Sequence, residues 1–170
     1  MKTYYSLWLI PSSPVYEYLT NYIADLAEKY QTASFEPHLT PLIIGFSEFS
    51  QEELIAKTQE LADKIGAIPL ELGPVSMSNT FYQSVFVRVK ASAVLMEAHL
   101  TAKEIFEIKD EHFFMPHMSL LYADFFMKQR EEIMKEIKLE CPRKFHAQKL
   151  ALIGANEQES GFEKLAEIEL

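Results

Sequence analysis

Strand and helix signatures alternate along these 170 residues in the order strand, helix, strand, helix, strand, and the series runs through about twice. A mixed helix–strand fold with an internal repeat is therefore predicted. The repeat is also written in residues. Phe35-Glu36-Pro37-His38-Leu39-Thr40 matches Phe114-Met115-Pro116-His117-Met118-Ser119, and the two histidines stand close to half a chain length apart. No linker or low-complexity tract separates the halves, so residues 1–170 are expected to form one two-lobed domain.

Each element has a local reason. Tyr4 to Ile10 is short, aromatic and aliphatic, and reads as a strand that stops at Pro11. Ser13-Pro14 reads as a helix N-cap followed by proline at the first helical position. Val15, Leu19, Tyr22, Leu26 and Tyr30 then fall on one helical face. A strand follows around 37–46. Ser50 and Glu53 have the spacing of a capping box, opening a helix with Leu54, Leu61 and Ile65 on one side and Gly66 at its end. Ile68 to Met77 reads as an extended segment, which Pro69 and Pro74 mark as an edge or irregular strand.

In the second half, Phe81 to Val89 alternates as a strand, with Phe81, Val85, Val87 and Val89 on one face. Ser92 suits the cap of a helix carrying Leu95, Leu100, Ile105 and Phe106. A strand around 116–123, a helix through Ile133, Met134 and Ile137, and strands near 145–153 and 162–168 complete the chain. Residues 154–161 read as a polar loop.

Composition narrows the function. Hydrophobic residues make up 48% and charged residues 24%, a balance suited to a packed core. The single cysteine, Cys141, leaves no intrachain disulfide and no cysteine-based zinc cage. Sixteen basic against 25 acidic residues give a net charge of −9 without a basic stripe. Long nucleic acid is therefore not the expected partner. No apolar run is long enough for a membrane span, and the first residues lack a secretory cleavage pattern. A cytoplasmic monomer with no membrane partner is expected.

Residues i and i+2 of a strand share a face, so His38 projects with Thr40 and His117 with Ser119. If a pseudo-two-fold relates the halves, one cleft receives two imidazoles and two hydroxyls. That set suits hydrolysis of a phosphodiester without a metal or other cofactor. A neutral ring takes a proton from water and a protonated ring gives one to the departing alkoxide. The hydroxyls donate to phosphate oxygens as charge builds there. A small, strained 2′,3′-cyclic phosphate fits. Two other readings compete. The duplicated motif could serve packing alone, though a buried imidazole needs a hydrogen-bond partner. The histidines could also bind zinc, with Glu36 or Asp124 as a nearby third ligand.

Four segments in register carry a resemblance that spans most of the chain. They are Tyr5-Ser6-Leu7-Trp8-Leu9-Ile10-Pro11, the first histidine motif, Thr80-Phe81-Tyr82-Gln83-Ser84-Val85-Phe86, and the second motif extended through Tyr122 to Ala123. Together they resemble the two-histidine phosphoesterase superfamily, and within it the cyclic phosphodiesterase branch of plants and yeast. The resemblance implies a bilobal α+β fold with antiparallel sheets lining a central cleft and helices outside. It implies hydrolysis of nucleoside 2′,3′-cyclic phosphates to 2′-phosphates, and of ADP-ribose 1″,2″-cyclic phosphate, a by-product of RNA processing. His38, Thr40, His117 and Ser119 become its catalytic residues, Tyr122 its phosphate-contacting tyrosine and Trp8 an aromatic beside the site.

The local pattern adds its own conditions. Strict alternation puts Tyr122 opposite His117 and Ser119, so a bulge or a strand end near Leu121 has to bring it round. Trp8 suits core packing as well as stacking on a base, while Tyr82 and Phe86 read as core. His99, His112 and His146 lack a hydroxyl two residues on and read as non-catalytic. Two alternative functions are an RNA-directed phosphodiesterase or 2′,5′-ligase-like enzyme, and a non-catalytic module that binds a cyclic nucleotide. The motif itself does not say which histidine is acid and which is base.

Overall fold

The structure is a computed structural model that describes residues 3–156 and 161–170. Of the polar loop expected over 154–161, residues 154–156 are instead strand, continuing the ladder with the last strand, and 157–160 lie outside the described residues. The first half contains β1 (Thr3–Pro11), α1 (Val15–Tyr30), β2 (Leu39–Phe46), α2 (Gln51–Ile65) and β3 (Ile68–Met77). The second contains β4 (Val85–Val89), α3 (Ala93–Ile105), β5 (His117–Leu121), α4 (Met127–Glu136) and β6 (Lys144–Asn156). A last strand, β7 (Phe162–Glu169), follows. The fold is α+β, with one antiparallel sheet in the order β1-β2-β5-β4-β3-β6-β7.

β6 also pairs with β1, so six strands close a circuit. Exchanging β1 with β4, β2 with β5 and β3 with β6 leaves that circuit unchanged. The strand pairings thus obey the two-fold that the repeated sequence predicts, and β7 is the element without a counterpart. The centre of symmetry is the pair Leu39↔Met118, which joins β2 to β5. These are the middle residues of the two His-x-Thr/Ser motifs. Continuing the antiparallel register by one residue sets His38 across from Ser119 and His117 across from Thr40.

Alternation divides the sheet into two faces. Leu7, Leu9, Leu39, Val85, Val87, Met118 and Leu120 enter the main core, packed with Leu19, Leu54, Leu95 and Ile133 from the four helices. Burying each such side chain contributes roughly 1.5–3 kcal/mol. The opposite face carries the motif side chains. A smaller cluster of Trp8, Ile10, Ala151 and Ile153 backs that face, with Tyr16 against it.

Several expectations are corrected. The α1 helix begins at Val15 with Pro14 at the cap position, and the Ser13 hydroxyl bonds Glu17 at 2.6 Å instead of capping. The Ser50–Glu53 capping box and the Ser92 cap form as read. β3 is interior, pairing with β6 through Ile68–Glu71 and with β4 from Leu72 onward. β4 starts only at Val85, which leaves Phe81 and Tyr82 on an exposed loop. Leu100 faces solvent rather than the core. Among the described residues, no helix is long and apolar enough to cross a membrane.

Candidate active site

His38 immediately precedes β2 and His117 opens β5. Both rings, Thr40, Ser119, Tyr122 and Trp8 line one cavity of about 490 Å³. The structure therefore brings together all six residues singled out by the sequence.

The two imidazoles are held alike. His38 Nδ1 lies 2.7 Å from the Glu36 carbonyl, and His117 Nδ1 lies 2.9 Å from the Met115 carbonyl. A carbonyl only accepts, so each Nδ1 carries the hydrogen and each neutral ring offers Nε2 as a base. Their surroundings differ. His38 is buried and stacks on Trp8, with centroids 3.6 Å apart and planes 5° from parallel. Burial lowers its pKa to about 4, with repulsion from a charged His117 adding to the fall and the Glu36 carbonyl opposing it. His117 is only partly buried and meets the Phe86 ring in an edge contact at 5.2 Å. Its pKa is lowered by burial and by the Arg88 guanidinium, against the Met115 carbonyl.

The hydroxyls also differ. Ser119 Oγ donates to the Tyr82 carbonyl at 2.7 Å, so it must turn away from that bond to donate elsewhere. Thr40 projects into the same cavity with its hydroxyl free of any such tether among the described residues.

Tyr122 reaches the cavity by the first of the two routes its position requires, and the second helps. Phe86 pairs with Ser119 but Val85 pairs with Leu121, so β5 gains one residue at Leu120. Leu120 and Leu121 both enter the core, and the strand ends there. The first half has the same irregularity. Leu9 pairs with Leu39 and Leu7 with Leu42, which brings Ile43 into the cavity where the second half has Tyr122. The Tyr122 hydroxyl is 3.5 Å from His38 Nε2, and its ring stacks on Phe35 at 3.7 Å. Burial raises its pKa, with the Tyr82 phenol adding and Ser119 opposing, so it remains a hydrogen donor.

The sequence reading missed part of the wall. Tyr82, taken for core, lines the cavity as an exposed rim residue. Phe86, taken for core, is buried but touches His117. Tyr4, Ser6, Ile43, Phe46 and Phe162 also line the cavity. Tyr4 and Ser6 were findable, since they alternate onto the Trp8 face of β1. Phe162 was not, because nothing in the repeat announces β7.

Neither acid near the motifs is aimed at the imidazoles as a third metal ligand. The Glu36 carboxylate binds Tyr16 and Lys164, and Asp124 is exposed beside Arg130. Among the described residues, no three His, Cys, Asp or Glu side chains gather as a metal site. His99 is tied to the Pro41 carbonyl at 2.7 Å and stacks on Phe114, a structural link between the two motif segments.

Residues 3–165 match the family model for cyclic phosphodiesterase-like protein. The chain belongs to the cyclic phosphodiesterase-like family. It is thus a phosphodiesterase, within the two-histidine phosphoesterase superfamily. A cyclic phosphodiesterase of Arabidopsis thaliana is 24% identical over 135 residues, covering 79% of this chain and 74% of that protein. E. coli LigT, in its complex with 3′-AMP, superposes with a TM-score of 0.64 at 14% identity, over 100% of this chain and 99% of LigT. TT0787 of Thermus thermophilus superposes with a TM-score of 0.62 at 16% identity, over 100% and 98% of the two chains. These structural likenesses establish the shared fold.

Proposed function

We propose that this phosphodiesterase hydrolyses a nucleoside 2′,3′-cyclic phosphate to the 2′-phosphate, or ADP-ribose 1″,2″-cyclic phosphate, without a metal, with His38 as general base and His117 as general acid. The observation that carries this reading is that both Nδ1 atoms are tied to carbonyls while both rings line one cavity. His38 is the base because its deep burial keeps it neutral. His117, more open to solvent, gains a proton when a phosphate anion enters, since an adjacent negative charge favours imidazolium.

Water attacks phosphorus and His38 Nε2 takes its proton. The P–O3′ bond breaks as the His117 Nε2–H protonates the departing 3′-oxygen, leaving the 2′-phosphate. Proton exchange with solvent then resets both rings. Thr40, and Ser119 once turned, donate to the phosphate oxygens as negative charge grows. The Tyr122 O–H does the same. Trp8, Tyr82 and Phe162 supply aromatic surface for a base.

The walls favour a small substrate over long RNA. Among the described residues, no Lys or Arg lines the cavity, whereas gripping several phosphates calls for several cations. A nucleotide in the same fold is seen in LigT, whose complex holds 3′-AMP. The test is turnover of 2′,3′-cyclic mononucleotides and ADP-ribose 1″,2″-cyclic phosphate in EDTA, with the product isomer identified by phosphorus NMR. Undiminished turnover in EDTA, yielding the 2′-phosphate, is expected. Activity that survives replacement of both histidines by alanine overturns the mechanism, and tight binding without product makes the chain a binding module.

A further inference from the structure

The two halves anchor their histidine segments by different means. In the second, the Val89 N–H donates to the Pro116 carbonyl at 2.9 Å, fixing the residue just before His117. The pairs Leu9↔Leu39 and Val87↔Met118 make Pro11 the counterpart of Val89. Proline has no N–H, so the Pro37 carbonyl cannot be held from that position. The first half carries a side-chain device instead. The Glu36 carboxylate accepts from the Tyr16 hydroxyl of α1 at 3.0 Å and pairs with the Lys164 ammonium of β7 at 2.9 Å. The same Glu36 supplies the main-chain carbonyl that holds His38 Nδ1. Met115, its counterpart, has no side-chain group for such bonds. Lys164 is braced in turn by Glu167, which bonds Lys149 of β6 at 2.7 Å.

We propose that Lys164 and Tyr16 are positioning residues for His38, acting through Glu36 to replace the backbone bond that Pro11 cannot make. β7, the strand outside the repeat, thereby serves one histidine and not the other. The clamp fixes the carbonyl that sets the His38 tautomer, and it neutralises the Glu36 carboxylate two residues before His38. The titratable groups around His38 are His117 on β5, Tyr122 just beyond it, Glu36 on its own segment, Tyr16 on α1 and Lys164 on β7. The inference rests on the proposed proton transfer by His38, but its test has a readout that does not.

Trp8 is the only tryptophan and stacks on His38, so its emission reports His38 protonation whether or not the protein turns over. In Lys164→Met the Glu36 carboxylate is unneutralised. The emission midpoint is expected to rise by about one pH unit, and kcat to fall roughly tenfold with KM little changed. Lys164→Arg should restore both. Adding Glu36→Gln to Lys164→Met should return the midpoint but not kcat. Tyr16→Phe should lower kcat alone. An unmoved midpoint together with unchanged kcat in Lys164→Met overturns the proposal. If that variant does not fold, an unchanged kcat in Tyr16→Phe overturns it. A midpoint that moves in a chain with no activity on cyclic phosphates upholds the clamp and refutes the assigned reaction.

Discussion

His38 is buried face to face against Trp8, whereas His117 meets only the edge of Phe86 and keeps some contact with solvent. The two rings occupy equivalent places in two copies of one unit. A strictly symmetric pair would have one shared pKa environment, and the proposed acid–base catalysis needs two. The fold keeps the backbone symmetric and varies the side chains around it. Trp8 stands where the second half has Phe86, and Ile10 where it has Arg88. Glu36 stands where it has Met115, and Ile43 where it has Tyr122. These exchanges give the two histidines different surroundings, which the proposed division into base and acid requires.

The sharpest way to break the comparison is to remove each ring. His38→Ala and His117→Ala should each lower turnover by roughly 10²–10⁴. The comparison adds a difference in pH dependence. As the proposed base, His38 must be neutral, so kcat/KM should fall as pH drops through about 4. As the proposed acid, His117 must be protonated, so kcat/KM should fall as pH rises past its own lowered value, on the acid side of 6.5. The maximum therefore lies between these limits, more acidic than two unperturbed imidazoles would give. His117→Ala should remove the alkaline limb from the residual activity and leave the acid limb. If His38→Ala removes the alkaline limb instead, the roles are reversed.

The hydroxyls come next in size. Thr40 donates without giving up an existing bond, while Ser119 must leave the Tyr82 carbonyl. Thr40→Ala should cost about 10²–10³ in kcat, and Ser119→Ala roughly tenfold. Equal losses would mean that the Tyr82 bond is broken at no net cost when substrate binds. Paired steady-state measurements on the two variants decide this.

How far these distinctions could be read from sequence follows from their range. Alternation within Leu39-Thr40-Pro41 and Met118-Ser119-Leu120 is local, so the shared face of each His–hydroxyl pair was legible. So were the strand–helix series and the repeat, because periodicity is a short-range signal. The extra residue at Leu120 was legible only as a requirement on Tyr122, since register depends on the partner strand. Tyr82 was misread because Phe81 to Val89 alternates well on paper, yet the ladder begins only at Val85. The Glu36–Lys164 pair spans most of the chain, and no local pattern reaches that far.

Acid stability offers a smaller contrast between the halves. The folded His38 pKa of about 4 lies below the unfolded value of 6.5, so the unfolded chain binds more protons between those limits. Stability is therefore fully present above pH 6.5 and is lost as pH falls toward 4, by about 3 kcal/mol for this group. Denaturant melts between pH 7 and 4 should show a shallower decline in His38→Gln than in wild type. His117→Gln should flatten the curve less, because that ring is closer to water. Parallel curves for all three would show that the rings share one environment, and the comparison would fail.

The last contrast concerns what Trp8 contributes. Its indole both covers His38 and lies parallel to it, and two substitutions separate those effects. Trp8→Phe retains most of the cover and an aromatic face, so the acid limb of kcat/KM should move by only a few tenths of a pH unit. Trp8→Ala admits water to the ring, and desolvation is the leading cause of its lowered pKa. The limb should then rise by about one unit toward the unperturbed value. Phe86→Ala should leave this acid limb in place, since Phe86 touches the other histidine. If both substitutions at Trp8 raised the limb equally, the parallel stack rather than burial would set the basicity of His38. Phe86, which offers only its edge, would then have no comparable hold on the basicity of His117.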